Sequence, residues 1–196
     1  AGDDVYFVAN RHINHTNVCR NRCLFCAFSH DDGDVEAFTL SVDEVIEKAR
    51  ETLTGGITEI HIVGGEHPDL PFGYYLDMMR GLKEVAPDVH IQAFTASEIA
   101  HLAKIAGMTV EETLRTLKEA GLGSLPGGGA EVFSGRVREL ICERKISGQE
   151  WLDVMRVAHG AGLKSNATML YGHVETPAEL ADHMVRLRDL QDDTGG

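Results

Sequence analysis

Five short runs of β character, each followed by a stretch with helical spacing, succeed one another along the 196 residues, and this alternation limits the fold more than any other feature. Strands alternating with helices come out parallel, because each helix carries the chain back to the edge where the next strand starts. The runs cover residues 5–18 (with Tyr6, Phe7, Val8, Ile13 and Val18), 58–63, 89–94, 123–125 and 163–170. Between them Ser41 and Glu44 form a capping box for a helix whose Val42, Val45, Ile46, Ala49 and Leu53 share a face, ended by Gly55 and Gly56. Further helices are expected over 72–85, 98–105, 110–120, 132–142, 150–159 (capped by Ser147) and from Pro177 through Leu190. The series predicts an α/β fold, a partial (β/α) TIM-like barrel of about five strand-helix units ending before a sixth strand. A doubly wound sheet is the alternative.

A hydrophobic share of 43% can bury one sizeable core, so residues 1–196 read as a single core domain, incomplete at both ends, from a longer protein. The formal charge of -13 argues against nucleic acid, since phosphate contact needs clustered Lys and Arg. No run approaches the roughly 20 apolar residues of a membrane span, and the start lacks a signal-peptide pattern. The expected location is cytoplasmic, with no membrane partner.

In a parallel sheet the loops after the strands share one rim. The unusual motifs all fall there: Cys19 to Cys26 after the first strand, Gly64-Gly65-Glu66 after the second, Thr95 to Glu98 after the third, Pro126 to Glu131 after the fourth and Gly172 to Glu175 after the fifth. Gly127 to Gly129 lacks the Lys-Ser/Thr of a nucleoside triphosphate loop. Cys142 reads as a packed thiol, and His61, His90, His101, His159 and His183 as hydrogen-bonded or solvated.

Cys19, Cys23 and Cys26 stand at C-x-x-x-C-x-x-C spacing, close enough to meet one metal centre. A structural zinc and a four-iron cluster each want four ligands. The three thiols could therefore join His12, His15 or His30 on zinc, or hold three irons of a cluster and leave the fourth open. Spacing alone decides neither.

With the aromatic Phe25 before the last cysteine, the loop resembles that of the radical S-adenosylmethionine superfamily. The resemblance implies a 4Fe-4S cluster on Cys19, Cys23 and Cys26, its open iron chelated by the amino and carboxylate groups of S-adenosyl-L-methionine, with the backbone at Phe25 meeting the adenine. It further implies cofactor contacts at Gly64, Gly65, Glu66, Ser124, Glu131 and Glu175. His67, Thr95, Glu98, Asn166 and His173 are then candidates for orienting substrate, with no acid-base pair as the engine. The blocks Asn10 to Cys19, Gly64 to Phe72 with Tyr74-Tyr75, Ala93 to Ala96, Leu125 to Glu131 and Asn166 to Thr176 are similar to the branch of aminofutalosine synthase, dehypoxanthine futalosine cyclase and the deazaflavin (FO) synthase subunits. The first of these implies a transferase that adds a 5'-deoxyadenosyl radical to 3-[(1-carboxyvinyl)oxy]benzoate, an enolpyruvyl benzoate, in menaquinone biosynthesis. It would draw its electron from a one-electron donor such as flavodoxin or ferredoxin.

Overall fold

Strand β1 (Asn10–Ile13) pairs in parallel with β2 (Glu59–Ile62), β2 with β3 (His90–Ala93), β3 with β4 (Ser124–Leu125) and β4 with β5 (Lys164–Ser165). This is a computed structural model, and it describes residues 3–5 and 7–196. The spatial order β1-β2-β3-β4-β5 follows the sequence without reversal. A doubly wound sheet reverses its order at a switch point, so the observed order is that of a barrel wall wound in one direction.

The helices between strands are α1 (Val42–Arg50), α2 (Phe72–Val85), α3 (Ala96–Ala106), α4 (Val110–Glu119), α5 (Gly135–Ile141) and α6 (Gly148–Gly160), with α7 (Pro177–Thr194) following β5. Capping boxes start α1, α3, α4, α6 and α7, pairing Ser41 with Glu44, Thr95 with Glu98, Thr109 with Glu112, Ser147 with Glu150 and Thr176 with Glu179. Each satisfies backbone N–H groups that the first helical turn leaves open. Gly107, left-handed at φ 65, separates α3 from α4.

The two faces of the sheet differ in chemistry. Ile13, Ile60, Ile62, Ile91, Ala93 and Leu125 are buried in the main core with residues such as Met78, Met79, Leu114, Leu117, Trp151 and Met155 from the helices. The opposite face carries, in register, His12, His61, Gln92 and Ser124. Period-two alternation thus sends the apolar set outward under the helices and a polar set into the barrel lumen. Among the described residues no helix is long and apolar enough to cross a membrane.

Three expected elements come out shorter. The run 5–18 contributes only Asn10–Ile13, since Thr16 turns away to bridge Thr39 and Val18 bridges His30, folding the cysteine loop against the following segment. Val5, Phe7 and Val8 are exposed and outside any strand, and Tyr6 lies outside the described residues. The helix expected from Val132 starts at Gly135, where the Ser134 hydroxyl accepts the Val137 N–H. The run 163–170 keeps only Lys164–Ser165, and past it Thr168 Oγ1 donates to Gly127 O at 2.7 Å and the Leu170 N–H to Glu131 O at 3.0 Å.

Candidate active site

A cavity of about 560 Å³ opens at the C-terminal ends of the strands. The first loop supplies Cys19, Cys23, Phe25 and Cys26, the second Gly64, Gly65 and Glu66, and α3 supplies Thr95 and Glu98. Gly127, Gly128, Gly129 and Glu131 come from the loop after β4, and Asn166 and Thr168 from the chain after β5. The shared rim expected from strand polarity therefore exists as one walled space, of a size that holds a cofactor and a small substrate.

The cysteine loop is pinned through its backbone. The N–H of Cys19 donates to His30 O at 3.1 Å, that of Arg20 to Glu66 O at 3.1 Å, that of Leu24 to Ile141 O at 2.9 Å and that of Cys26 to Cys23 O at 3.0 Å. All three thiols are free, Cys19 and Cys26 half-buried and Cys23 buried. Burial pushes the Cys23 thiol up to about 12, against the pull of the Lys145 ammonium. Among the described residues no three His, Cys, Asp or Glu side chains converge on one ion. A tetrahedral zinc takes all of its donors at a single point, whereas a cube of iron and sulfide takes one thiolate per corner. Of the histidines named for the zinc alternative, His15 is buried with neither ring nitrogen paired. The His12 Nε2 meets Asn14 Oδ1 at 2.6 Å, His15 is enclosed beside Gly64, Tyr74 and Tyr75, and His30 lies beside Asp34 and Glu36.

Bare backbone faces this wall. A Cβ on Gly65 would stand 2.0 Å from Val18 O, and one on Gly127 2.6 Å from the Ala167 Cα. Neither glycine has positive φ, so the Gly64-Gly65 turn needs glycine for close approach and not for a left-handed conformation. The loop is held from the far side by Glu98, which accepts the Gly64 N–H at 3.0 Å through Oε1 and the Thr95 N–H at 2.8 Å through Oε2. Both carboxylate oxygens thus accept from backbone, and Glu98, expected to orient substrate, lines the cavity and holds its loops. Burial raises the Glu98 carboxyl to about 7, in spite of those N–H donors. Next to it, Glu66 accepts from Ser97 Oγ at 2.5 Å.

Glu131 and Lys145 form a buried ion pair at 2.7 Å on the wall beside the cysteines. Burial pulls the Lys145 ammonium down, but Glu131 beside it holds it above its ordinary range, and Nζ lies 5.8 Å from the Phe25 ring centroid. Glu131 (φ 46), Arg22 (φ 47) and Phe94 (φ 59) are the described non-glycine residues with positive φ. Such strain costs about 1–3 kcal/mol each and gathers where function demands a geometry. Two of the three are in loops that supply the cavity wall, and Phe94 precedes the third.

On the lumen side, Gln92 joins three strands. Its Oε1 meets His61 Nδ1 at 2.9 Å, and its Nε2 donates to Asn166 Oδ1 at 2.7 Å and to Ser124 Oγ at 3.2 Å. Because Oε1 can only accept, the His61 proton sits on Nδ1, and with Asn166 Oδ1 used, the amide N–H groups of Asn166 remain for a ligand.

Four candidates lie away from the cavity lining. Ser124 turns into the lumen row, 2.7 Å from His90 Nε2. The ring of His67 accepts the Asp69 N–H at 3.1 Å, on a side shared with Val18 and Asp34. Glu175 closes its own turn by accepting the Gly172 and His173 N–H groups, which hold its carboxyl down at about 2. His173 faces Leu170 O at 3.0 Å and Glu175. Each of the four side chains has a hydrogen-bond partner within the protein. Conversely, Asn21, His61, Gln92, Lys145 and Thr168 line the cavity without having been singled out. His61 and Gln92 carried a signal, as polar residues at alternate positions of otherwise apolar strands. Lys145 carried none. Cys142, as expected, is packed, with Val132, Val137 and Ile141.

Comparison with known proteins agrees with this geometry. The family model of the radical SAM superfamily matches residues 13–187. The chain is 50% identical over 195 residues to aminodeoxyfutalosine synthase of Thermus thermophilus, covering 100% of this chain and 52% of that protein. It is 47% identical over 195 residues to the 5-amino-6-(D-ribitylamino)uracil--L-tyrosine 4-hydroxyphenyl transferase of Methanopyrus kandleri, covering 100% and 53%. It thus spans about half the length of these curated relatives. Among solved structures, the FeFe-hydrogenase maturase HydG from Carboxydothermus hydrogenoformans shares the fold at TM-score 0.73 and 18% identity, over 95% of this chain and 42% of that one. Methylornithine synthase does so at 0.62 and 15%, over 92% and 61%. A one-direction parallel wall, three thiols beside a glycine-backed cavity and a family match over most of its length agree: the chain belongs to the radical SAM superfamily.

Proposed function

We propose that this chain is the catalytic core of a radical S-adenosylmethionine transferase of the aminofutalosine synthase type, acting on an enolpyruvyl benzoate. The observation that carries the reading is the cavity wall on which Cys19, Cys23 and Cys26 stand beside the bare backbone of Gly65 and Gly127. Identity of 50% over the full chain to aminodeoxyfutalosine synthase supports the substrate class.

Cys19, Cys23 and Cys26 would hold a 4Fe-4S cluster and leave its fourth iron for the amino and carboxylate groups of S-adenosylmethionine. When bound, the cluster supplies one electron to the cofactor's sulfonium and so a primary carbon radical. The remaining work falls to the chain. Glu98 locks Gly64 and the start of α3 in one arrangement, and the Gly64-Gly65 backbone would be the part of the lining open to a methionyl group. Glu66 and Glu131, against Lys145, give the lining an acidic excess that suits a ligand carrying an ammonium and a sulfonium. Phe25, Phe28, Val63 and Pro126 supply apolar lining that limits water near a reactive carbon. His61 and Asn166, oriented through Gln92, offer polar contacts to the acceptor substrate. Holding acceptor and attacking carbon together is the main contribution such a site can make.

Identity of 47% and 44% to the hydroxyphenyl transferase and to the FO synthase of Nocardia farcinica favours deazaflavin-type coupling as the second reading. Anaerobic reconstitution followed by turnover with S-adenosylmethionine labelled in the ribose separates the two. Label carried into the benzoate-derived product supports the first reading. Label released as free 5'-deoxyadenosine in step with turnover overturns it. A one-electron donor such as a flavodoxin or ferredoxin completes the assay.

A further inference from the structure

Asn21 stands between Cys19 and Cys23, is 4% exposed and lines the cavity, and neither its Oδ1 nor its Nδ2 has a hydrogen-bond partner. Leaving a buried amide unpaired costs about 1–3 kcal/mol per group. The backbone N–H groups of Cys19, Arg20, Leu24 and Cys26 are all bonded. Asn17, just ahead of the loop and equally buried, uses both ends of its amide, donating to Glu36 O at 2.8 Å and accepting the Phe38 N–H at 2.7 Å. The amide of Asn17 is structural. That of Asn21 is unused by the protein, is enclosed, and belongs to a residue that lines the cavity the thiols border.

We propose that Asn21 donates a hydrogen bond through Nδ2 to a sulfur of the cluster on Cys19, Cys23 and Cys26, an inference that rests on the cluster reading above. Thiolate and sulfide sulfurs accept hydrogen bonds and have none to give, so the N–H end is the end that meets them. Such a bond strengthens as the cluster gains an electron, and it therefore raises the reduction potential. The need is set by the lining. Glu66 and Glu131 oppose added negative charge, and Lys145 is already paired with Glu131. Asn21 is thus a positioning and tuning residue, one that lets a weak reductant charge a cluster held in acidic surroundings.

The test is potentiometry followed by electron paramagnetic resonance on anaerobically reconstituted wild type, Asn21→Leu and Asn21→Asp, each checked for iron and sulfide content. At the wild-type midpoint the reduced-to-oxidised ratio is expected to fall at least threefold in Asn21→Leu, which keeps the shape and loses the donor. It is expected to fall further in Asn21→Asp, which adds negative charge. Pulsed measurements on reduced wild type carrying ¹⁵N-asparagine should show coupling to the cluster. Loaded variants that titrate together with wild type overturn the proposal and leave the superfamily reading intact, as does wild type without the ¹⁵N coupling. If Asn21→Leu fails to load, the wild-type coupling decides. A wild type that binds no iron removes the cluster reading itself.

Discussion

Glu98 accepts the backbone N–H of Gly64 at 3.0 Å with one carboxylate oxygen while the other caps the first turn of α3. A single buried side chain thereby ties the loop after β2 to the helix after β3, across the floor of the cavity. The glycine turn behind the thiols is held by this carboxylate as much as by its own sequence.

Replacing Glu98 by Ala removes a cap worth about 1 kcal/mol and leaves the buried Gly64 N–H unpaired, at about 1–3 kcal/mol more. The expected loss is about 2 kcal/mol or more, read from denaturant unfolding, with iron loading reduced in parallel.

The same residue gives a pH signature. Burial raises its carboxyl from 4.5 to about 7, so between those values the folded chain holds a proton that the unfolded chain has released. Stability contributed by this group is full below about 4.5 and is lost as pH rises through 7. The difference in unfolding free energy between wild type and Glu98→Gln should therefore change across that window. A difference flat with pH rejects the assignment.

A methyl on Gly65 would strike Val18 O, a backbone atom that cannot swing aside. Gly65→Ala should destabilise by about 1–3 kcal/mol through overpacking and displace Cys19, so iron retained after desalting should fall severalfold. Gly73, with nothing near its Cβ position, serves as the control, and Gly73→Ala should load normally.

Lys145→Met strands Glu131 as a buried, unpaired carboxylate, at an expected cost of about 3–5 kcal/mol. Changing Glu131→Leu alongside it should recover much of that loss. A double-mutant cycle by chemical denaturation measures the coupling, and additive single losses would show that the pair is not linked.

Gln92→Leu disconnects His61 from Asn166 in the lumen. If that row meets the acceptor substrate, KM should rise about tenfold, the worth of one hydrogen bond of about 1.4 kcal/mol, with unfolding free energy changed far less. An unchanged KM would assign the row to structure.

The capping box of α1, the Ser147 cap of α6 and the helix over Phe72–Val85 were legible because caps and periodicity act within a few residues of themselves. The thiols and Gly65 were legible because their spacing or their missing side chain carries the meaning. Ser124, His67, His173 and Glu175 were legible as motif members, but their hydrogen-bond partners were not. Each sits among motif residues, but where a side chain points depends on which backbone groups lie within its reach.

By itself the sequence determined the alternation of strand and helix, hence the parallel wall, the rim on which the motifs gather, and the family to which the cysteine loop belongs. Only tertiary structure decided that the wall runs in one direction, that Glu98 serves the backbone, and that Lys145, Gln92 and Asn21 reach the cavity. Periodicity and local hydrogen bonding are set by neighbours along the chain. Burial, charge pairing and an orphaned amide depend on residues that the sequence keeps tens of positions apart and that only folding brings to one wall.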